Sequence, residues 1–278
     1  MKEPGLFGRL ALGFAQLGQG EVDRALETYR SMESMDALGA SYAASALGDL
    51  AMYEGRLADA ARLYRTGAAA DLKTKDSDRA ANKLVALAGV QILLNDAPAA
   101  IASADQALEH SQAVKIRFLA ARVFVDAGAL AKAKTLSTAL ASALQAEPQA
   151  YARIIDGMAA IENGNPRGAI AILIEANRQL DTWIGHFELG RAYLDAGAYT
   201  QADSEFDRCL NRRGEALALF LDEEPTYGMF PPVYYYQGRA REGLNSTSFA
   251  DSYRAYLEIR GKSPDDPLVT EIRRRGGN

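Results

Sequence analysis

The sequence predicts an all-α fold, a right-handed superhelix (α-solenoid) of about seven helix–turn–helix units with a C-terminal capping helix. Three recurring columns of residues carry that expectation. A small residue marks the middle of each first helix, at Gly13, Gly48, Ala88, Ala121, Gly157, Gly190 and Gly238, at intervals of 35, 40, 33, 36, 33 and 48. Twelve residues beyond each stands an alanine: Ala25, Ala60, Ala100, Ala133, Ala169, Ala202 and Ala250. Seven residues beyond each stands Gly20, Gly55, Asn95, Gly128, Gly164, Gly197 or Asn245. A helix that stops and reverses needs left-handed backbone angles at its C-terminal cap, and Gly and Asn reach them at least cost. These two types make up about one residue in nine, so seven matches in seven places fix the register.

Each unit follows from this register. A Gly or Ala lets two antiparallel helices approach, and a large residue opposite fills the gap. Tyr29, Tyr64, Leu173 and Phe206 take that role in units one, two, five and six. Units three and four have Ala104 and Ser137 there, which predicts thinner packing. Unit seven has Arg254, flanked by Tyr253 and Tyr256, which predicts a second helix rotated by one residue. The units are expected near 6–40, 41–80, 81–113, 114–149, 150–182, 183–210 and 231–260. Residues 68–80 are expected to add a polar loop around Lys73, Lys75, Asp76 and Asp78. Residues 211–230 are an insertion, expected to continue a helix through GEALALFL and then to loop through DEEPTYGMFPP. Pro231 and Pro232 suit the start of the next helix. A capping helix is expected over 264–275, with Pro267 in its first turn and arginines in its last.

Unit six is the best formed. Leu189-Gly190, Tyr193, Gly197, Ala202 and Phe206, with Trp183 upstream, follow the order L-G-x2-Y, Gly, A-x3-F. That pattern resembles the tetratricopeptide repeat (TPR). Residues Asp181 to Leu257 further resemble the C-terminal TPR arrays of bacterial multidomain signalling proteins, in which a kinase-like, cyclase-like or winged-helix domain precedes the repeats. The catalytic motifs of those domains are absent from this sequence. The resemblance implies a partner-binding or sensory portion of a larger protein, with ligands on a concave face lined by the first helices.

Composition narrows the classes. A net charge of −5 and a pI near 5.3 argue against a general nucleic-acid or anionic-membrane binder. The single Cys209 excludes an intrachain disulfide and fits a reducing compartment. The N-terminal apolar run is broken by Arg9 and Gln16, unlike a signal peptide, and no stretch approaches the ~18–20 apolar residues of a membrane span. A cytoplasmic location is expected, or a periplasmic one if the chain is a piece that follows a membrane span. His110 and His186 lie in different units without ligand spacing, and no phosphate loop or dinucleotide fingerprint occurs, so no metal, cofactor or catalytic role is expected. Cys209 reads as a packed thiol, with Arg208 and Arg212 near enough in sequence to sensitise it. The Asn245-Ser246-Thr247 sequon is already explained by the helix cap, and Asp222-Glu223-Glu224 reads as a solvated loop.

The binding candidates are on the first helices. An aromatic residue precedes an arginine by four at Phe118/Arg122, Phe187/Arg191 and Tyr235/Arg239, a spacing that lets the ring hold the guanidinium. Arginines so placed suit an acidic peptide or a free carboxylate. Tyr151, Ile154 and Met158 continue the face in unit five with apolar contact. The same residues also fit a purely structural reading in which each arginine pairs with a neighbouring acid, Asp156 being one. The aromatic cluster around the insertion, Tyr227, Phe230 and Tyr234 with Tyr235 and Tyr236, either walls off the groove's end or covers an apolar edge. The expected function is a non-catalytic protein- or peptide-binding scaffold. The alternative is a sensor of a small molecule or signalling peptide that controls an attached effector domain.

Overall fold

The computed structural model describes residues 4–276, which form fifteen α-helices and, among the described residues, no strand. The helices pack as consecutive antiparallel pairs. These are α1 (Leu6–Gly18) with α2 (Val22–Arg30), α3 (Ala37–Tyr53) with α4 (Leu57–Lys73), and α5 (Ser77–Leu93) with α6 (Ala97–His110). The series continues with α7 (Val114–Asp126) and α8 (Leu130–Ala141), α9 (Ala146–Glu162) and α10 (Pro166–Gln179), and α11 (Trp183–Asp195) and α12 (Tyr199–Asn211). α13 (Pro232–Gly243) pairs with α14 (Phe249–Arg260), and α15 (Pro267–Arg274) ends the array.

Local chemistry explains these boundaries. All seven turn positions, Gly20 through Asn245, have positive φ, from 54° to 79°. Asp36, Asp76, Asp96, Asn165, Thr182 and Asp266 accept a backbone N–H of the first helical turn, each cap contributing about 1 kcal/mol. A Cβ added at Gly48, Gly157 or Gly190 would lie within 3 Å of Tyr64, Leu173 or Phe206, so each pair interlocks at glycine. In unit seven the residue facing Gly238 is Tyr253, one place before Arg254. Ala104 and Ser137 are fully buried opposite their alanines.

Three stretches differ from the sequence expectation. Residues 68–73 are not loop but the last turns of α4, where Asp71 meets Lys83 of α5 at 2.7 Å in a buried ion pair completed by Ser41. GEALALFL does not extend α12. Arg213–Leu217 is a 3-10 turn, and the chain then runs irregularly to a second 3-10 turn at Tyr227–Met229. The third is the acidic run, which is only partly solvated and points its carboxylates at the helices.

The array also returns on itself. Arg260, at the end of α14 and 1% exposed, donates to the carbonyls of Tyr53 (3.0 Å), Met52 (2.7 Å) and Gly228 (2.9 Å). The first two are orphan carbonyls at the C-terminal end of α3, where a cation is favoured. Ser263 donates to Gly55, and Arg213 to Gly18 at the end of α1. Unit seven is thus joined to unit two both directly and through the insertion.

Candidate functional site: a concave groove with an in-chain occupant

The groove is lined by the odd-numbered helices, and the insertion lies in it. Phe220 packs edge-on against the Phe118 and Tyr151 rings, at 5.9 and 5.8 Å between centroids. Asp222 is paired with Lys115 of α7. Glu223 accepts from the Tyr42 hydroxyl of α3 at 3.2 Å, and Glu224 from Asn82 of α5 at 3.3 Å. Tyr227 stacks on Tyr53 at 4.8 Å, Gly228 N–H donates to Asp49 at 2.9 Å, and Phe230 lies 6.2 Å from Trp183. Each of these partners belongs to a first helix, in units two through six. A segment that touches the first helices of five units lies inside the arc they form.

This occupancy corrects the expected partner surface. Phe118, Tyr151, Ile154, Met158, Phe187 and Tyr235 are all buried, and Tyr227 and Phe230 are buried with them. Their apolar surface is largely covered by Phe220 and by neighbouring helices, so they are interior residues, and Phe187 keeps an edge on an internal cavity. Tyr234, half-buried, meets Phe230 edge-on at 5.6 Å. The insertion neither walls off the groove's end nor covers an outer edge; it runs through the middle.

The arginine pattern also resolves differently. Arg122 does not stack on Phe118. It donates to Glu188 of α11 at 2.8 Å, and Arg191 donates to the other oxygen of the same carboxylate at 2.9 Å. Glu188 is completely buried, so a carboxylate that would be costly alone is held by two guanidiniums. Arg191 lies over Tyr236 (5.5 Å), not Phe187. Only Arg239 keeps its expected ring, bonding the Tyr235 hydroxyl at 3.0 Å. Arg239 lies in an open cleft of about 750 Å³ at the turns of units six and seven, where Glu242 is its acid partner at 3.7 Å. Asp156 pairs with Lys134 and Ser137 and meets none of these arginines.

Two further residues settle into structural places. His186 is buried with both ring nitrogens on carboxylates, Glu205 at 2.7 Å and Asp181 at 2.8 Å. Cys209 is buried beside Trp183, whose indole donates to its carbonyl, and burial pushes the thiol pKa up, away from reactivity.

The residues that hold the insertion, Tyr42, Asp49, Asn82 and Lys115, were missed from sequence. All four are polar positions on first helices, a pattern that also fits ordinary solvated helix faces and so does not stand out. Burial raises the Asp49 pKa to about 7, against the opposing pull of the Gly228 and Tyr227 amides and of Arg260. Burial likewise raises that of Glu224, with Lys83 and Lys115 opposing. Among the described residues no group of His, Cys, Asp and Glu is placed to hold a metal ion, and no helix is long and apolar enough to cross a membrane.

No family model matches the sequence, and no curated protein matches it. Solved structures do match by shape. A tetratricopeptide repeat protein from Parabacteroides merdae superposes with a TM-score of 0.52 at 13% identity, over 95% of this chain and 97% of that one. YrrB, described as a TPR protein with an unusual peptide-binding site, gives 0.39 at 17% identity over 69% of this chain and 91% of its own. The TPR2AB domain of yeast Sti1, solved in a pHSP90 complex, gives 0.39 at 13% identity over 97% and 96%. The helix-pair order and the Parabacteroides merdae superposition make the fold that of a TPR solenoid.

Proposed function

We propose that the chain is a non-catalytic binding module whose concave groove takes an extended acidic peptide carrying an aromatic residue. The observation that supports this most is the groove's own occupant. Along Phe220–Glu224 a ring enters the Phe118/Tyr151 site, and three successive carboxylates each meet a separate donor on α7, α3 and α5. A peptide of that order, aromatic then acidic, would find the same contacts in the same register. In this reading the insertion competes in cis, with the advantage of a high effective concentration. The first part of the segment is the part suited to yield. Leu221 is 95% exposed and has φ of 53°, whereas Tyr227 and Phe230 are buried.

Fluorescence anisotropy with a labelled peptide of residues 218–225 tests this. The triple variant Phe220→Ala/Asp222→Ser/Glu224→Ser, which empties the Phe118/Tyr151, Lys115 and Asn82 sites but leaves 225–231 seated, is expected to bind the peptide at least tenfold more tightly than the unaltered chain. Adding Lys115→Glu should abolish that gain. A triple variant with unchanged helical circular dichroism and no binding would overturn the proposal.

A further inference from the structure

The insertion leaves part of the groove unfilled. Between Pro225–Pro232, the first helices α3, α5, α7 and α11, and the start of α15 lies a cavity of about 350 Å³, within the size range of small-molecule sites. Its walls are mainly apolar, with Val85, Leu119, Val123, Met229 and the rings of Phe187 and Tyr236 among them.

One carboxylate in that wall is held only through space, by Arg191 and Arg122. Asp126 closes α7, and among the described residues no hydrogen bond or ion pair reaches its carboxylate. Asp126 is an exposed residue that lines the cavity. The nearby cations are committed elsewhere. Arg122 and Arg191 share Glu188, Arg191 also approaches Glu162 at 3.9 Å, and Arg260 is held by Asp266 and backbone carbonyls. Around Arg122 and Arg191, two guanidiniums thus face three carboxylates, the buried Glu188 and the exposed Glu162 and Asp126, a local excess of one negative charge that a cation can match.

We propose that this cavity binds a small apolar amine, its ammonium paired with Asp126 and its body against the rings of Phe187 and Tyr236. A carboxylate ligand would add a third anion beside Asp126 and Glu162, whereas an ammonium completes the charge. Desolvation by the surrounding protein raises the Asp126 pKa to about 6, and a bound cation lowers it again. Because Pro225, Met229 and Pro232 form one wall, the ligand would also hold this part of the insertion in place. The site rests on residues other than those of the proposed peptide register.

Titration calorimetry with 2-phenylethylamine, 2-phenylethanol and 3-phenylpropionate on the full chain tests the site. The amine is expected to bind at least tenfold more tightly than either analogue. Asp126→Asn should lose at least tenfold in amine affinity. Gly89→Leu should block binding without harming the fold, since a Cβ there meets nothing within 4 Å and a helical glycine is replaced. No amine binding to the unaltered chain, an analogue binding equally well, or amine binding undiminished by either substitution would overturn the proposal.

Discussion

Units five and six and the insertion between units six and seven bury similar aromatic and aliphatic side chains by opposite means. In the units, Gly157 faces Leu173 and Gly190 faces Phe206, each pair separated by one turn of chain and repeated along the array. In the insertion, Phe220 meets Phe118, Gly228 meets Asp49 and Glu223 meets Tyr42, all far apart in sequence. Units that touch only their neighbours give a quasi-one-dimensional stability. The insertion touches five first helices and, through Arg260, ties the last unit to the second, so it couples units that would otherwise be independent.

The largest expected effects put the two regions on one scale. Phe206→Ala in a unit and Phe230→Ala in the insertion should each cost about 3–5 kcal/mol in urea unfolding, because both rings are fully buried. An insertion acting as a surface loop would show a change within about 0.5 kcal/mol at Phe230.

Arg260→Ala comes next, at about 3 kcal/mol, since it leaves Asp266 and three backbone carbonyls without their shared donor. It should also split the unfolding curve and open residues 211–231 to limited proteolysis before the rest. A single unshifted transition would show that the closure adds no coupling.

A smaller effect concerns pH. Asp49 has a folded pKa raised to about 7 by burial, so between its ordinary acid range and pH 7 folding takes up a proton. That contribution is fully present at low pH and is lost as pH rises through 7. Asp49→Asn keeps an acceptor for Gly228 and should therefore gain stability over the unaltered chain more at pH 8 than at pH 5. Equal differences at both pH values would remove Asp49 from the account.

The smallest effect is at Leu221, whose φ of 53° is strained for a side chain and whose surface is exposed. Leu221→Gly relieves strain worth about 1 kcal/mol but loosens the unfolded chain, so thermal melting should move by no more than a few degrees.

The comparison also explains what was legible in the sequence. The pairs Gly48/Tyr64 and Gly190/Phe206, and caps such as Asn95 and Asn245, depend on residues close in the chain, so periodicity exposes them. Even the offset of Tyr253 is local. The destination of Asp222 or Gly228 depends on how far the array curves before its ends meet, which no single unit encodes. For the same reason Phe118, Tyr151 and Arg122 have the pattern of a ligand-facing surface but are interior residues, covered by a segment distant in sequence. Arg260 stands out least of all, because nothing beside it in sequence resembles the α3 carbonyls it caps.

Residues 225–231 occupy the groove as part of the folded interior, which amide hydrogen exchange at Thr226 and Gly228 can check. Their N–H groups donate to Leu217 and to buried Asp49. The expected result is protection approaching that of the α3 interior, lost in Arg260→Ala. Exchange of both amides at the rate of an open loop would contradict it.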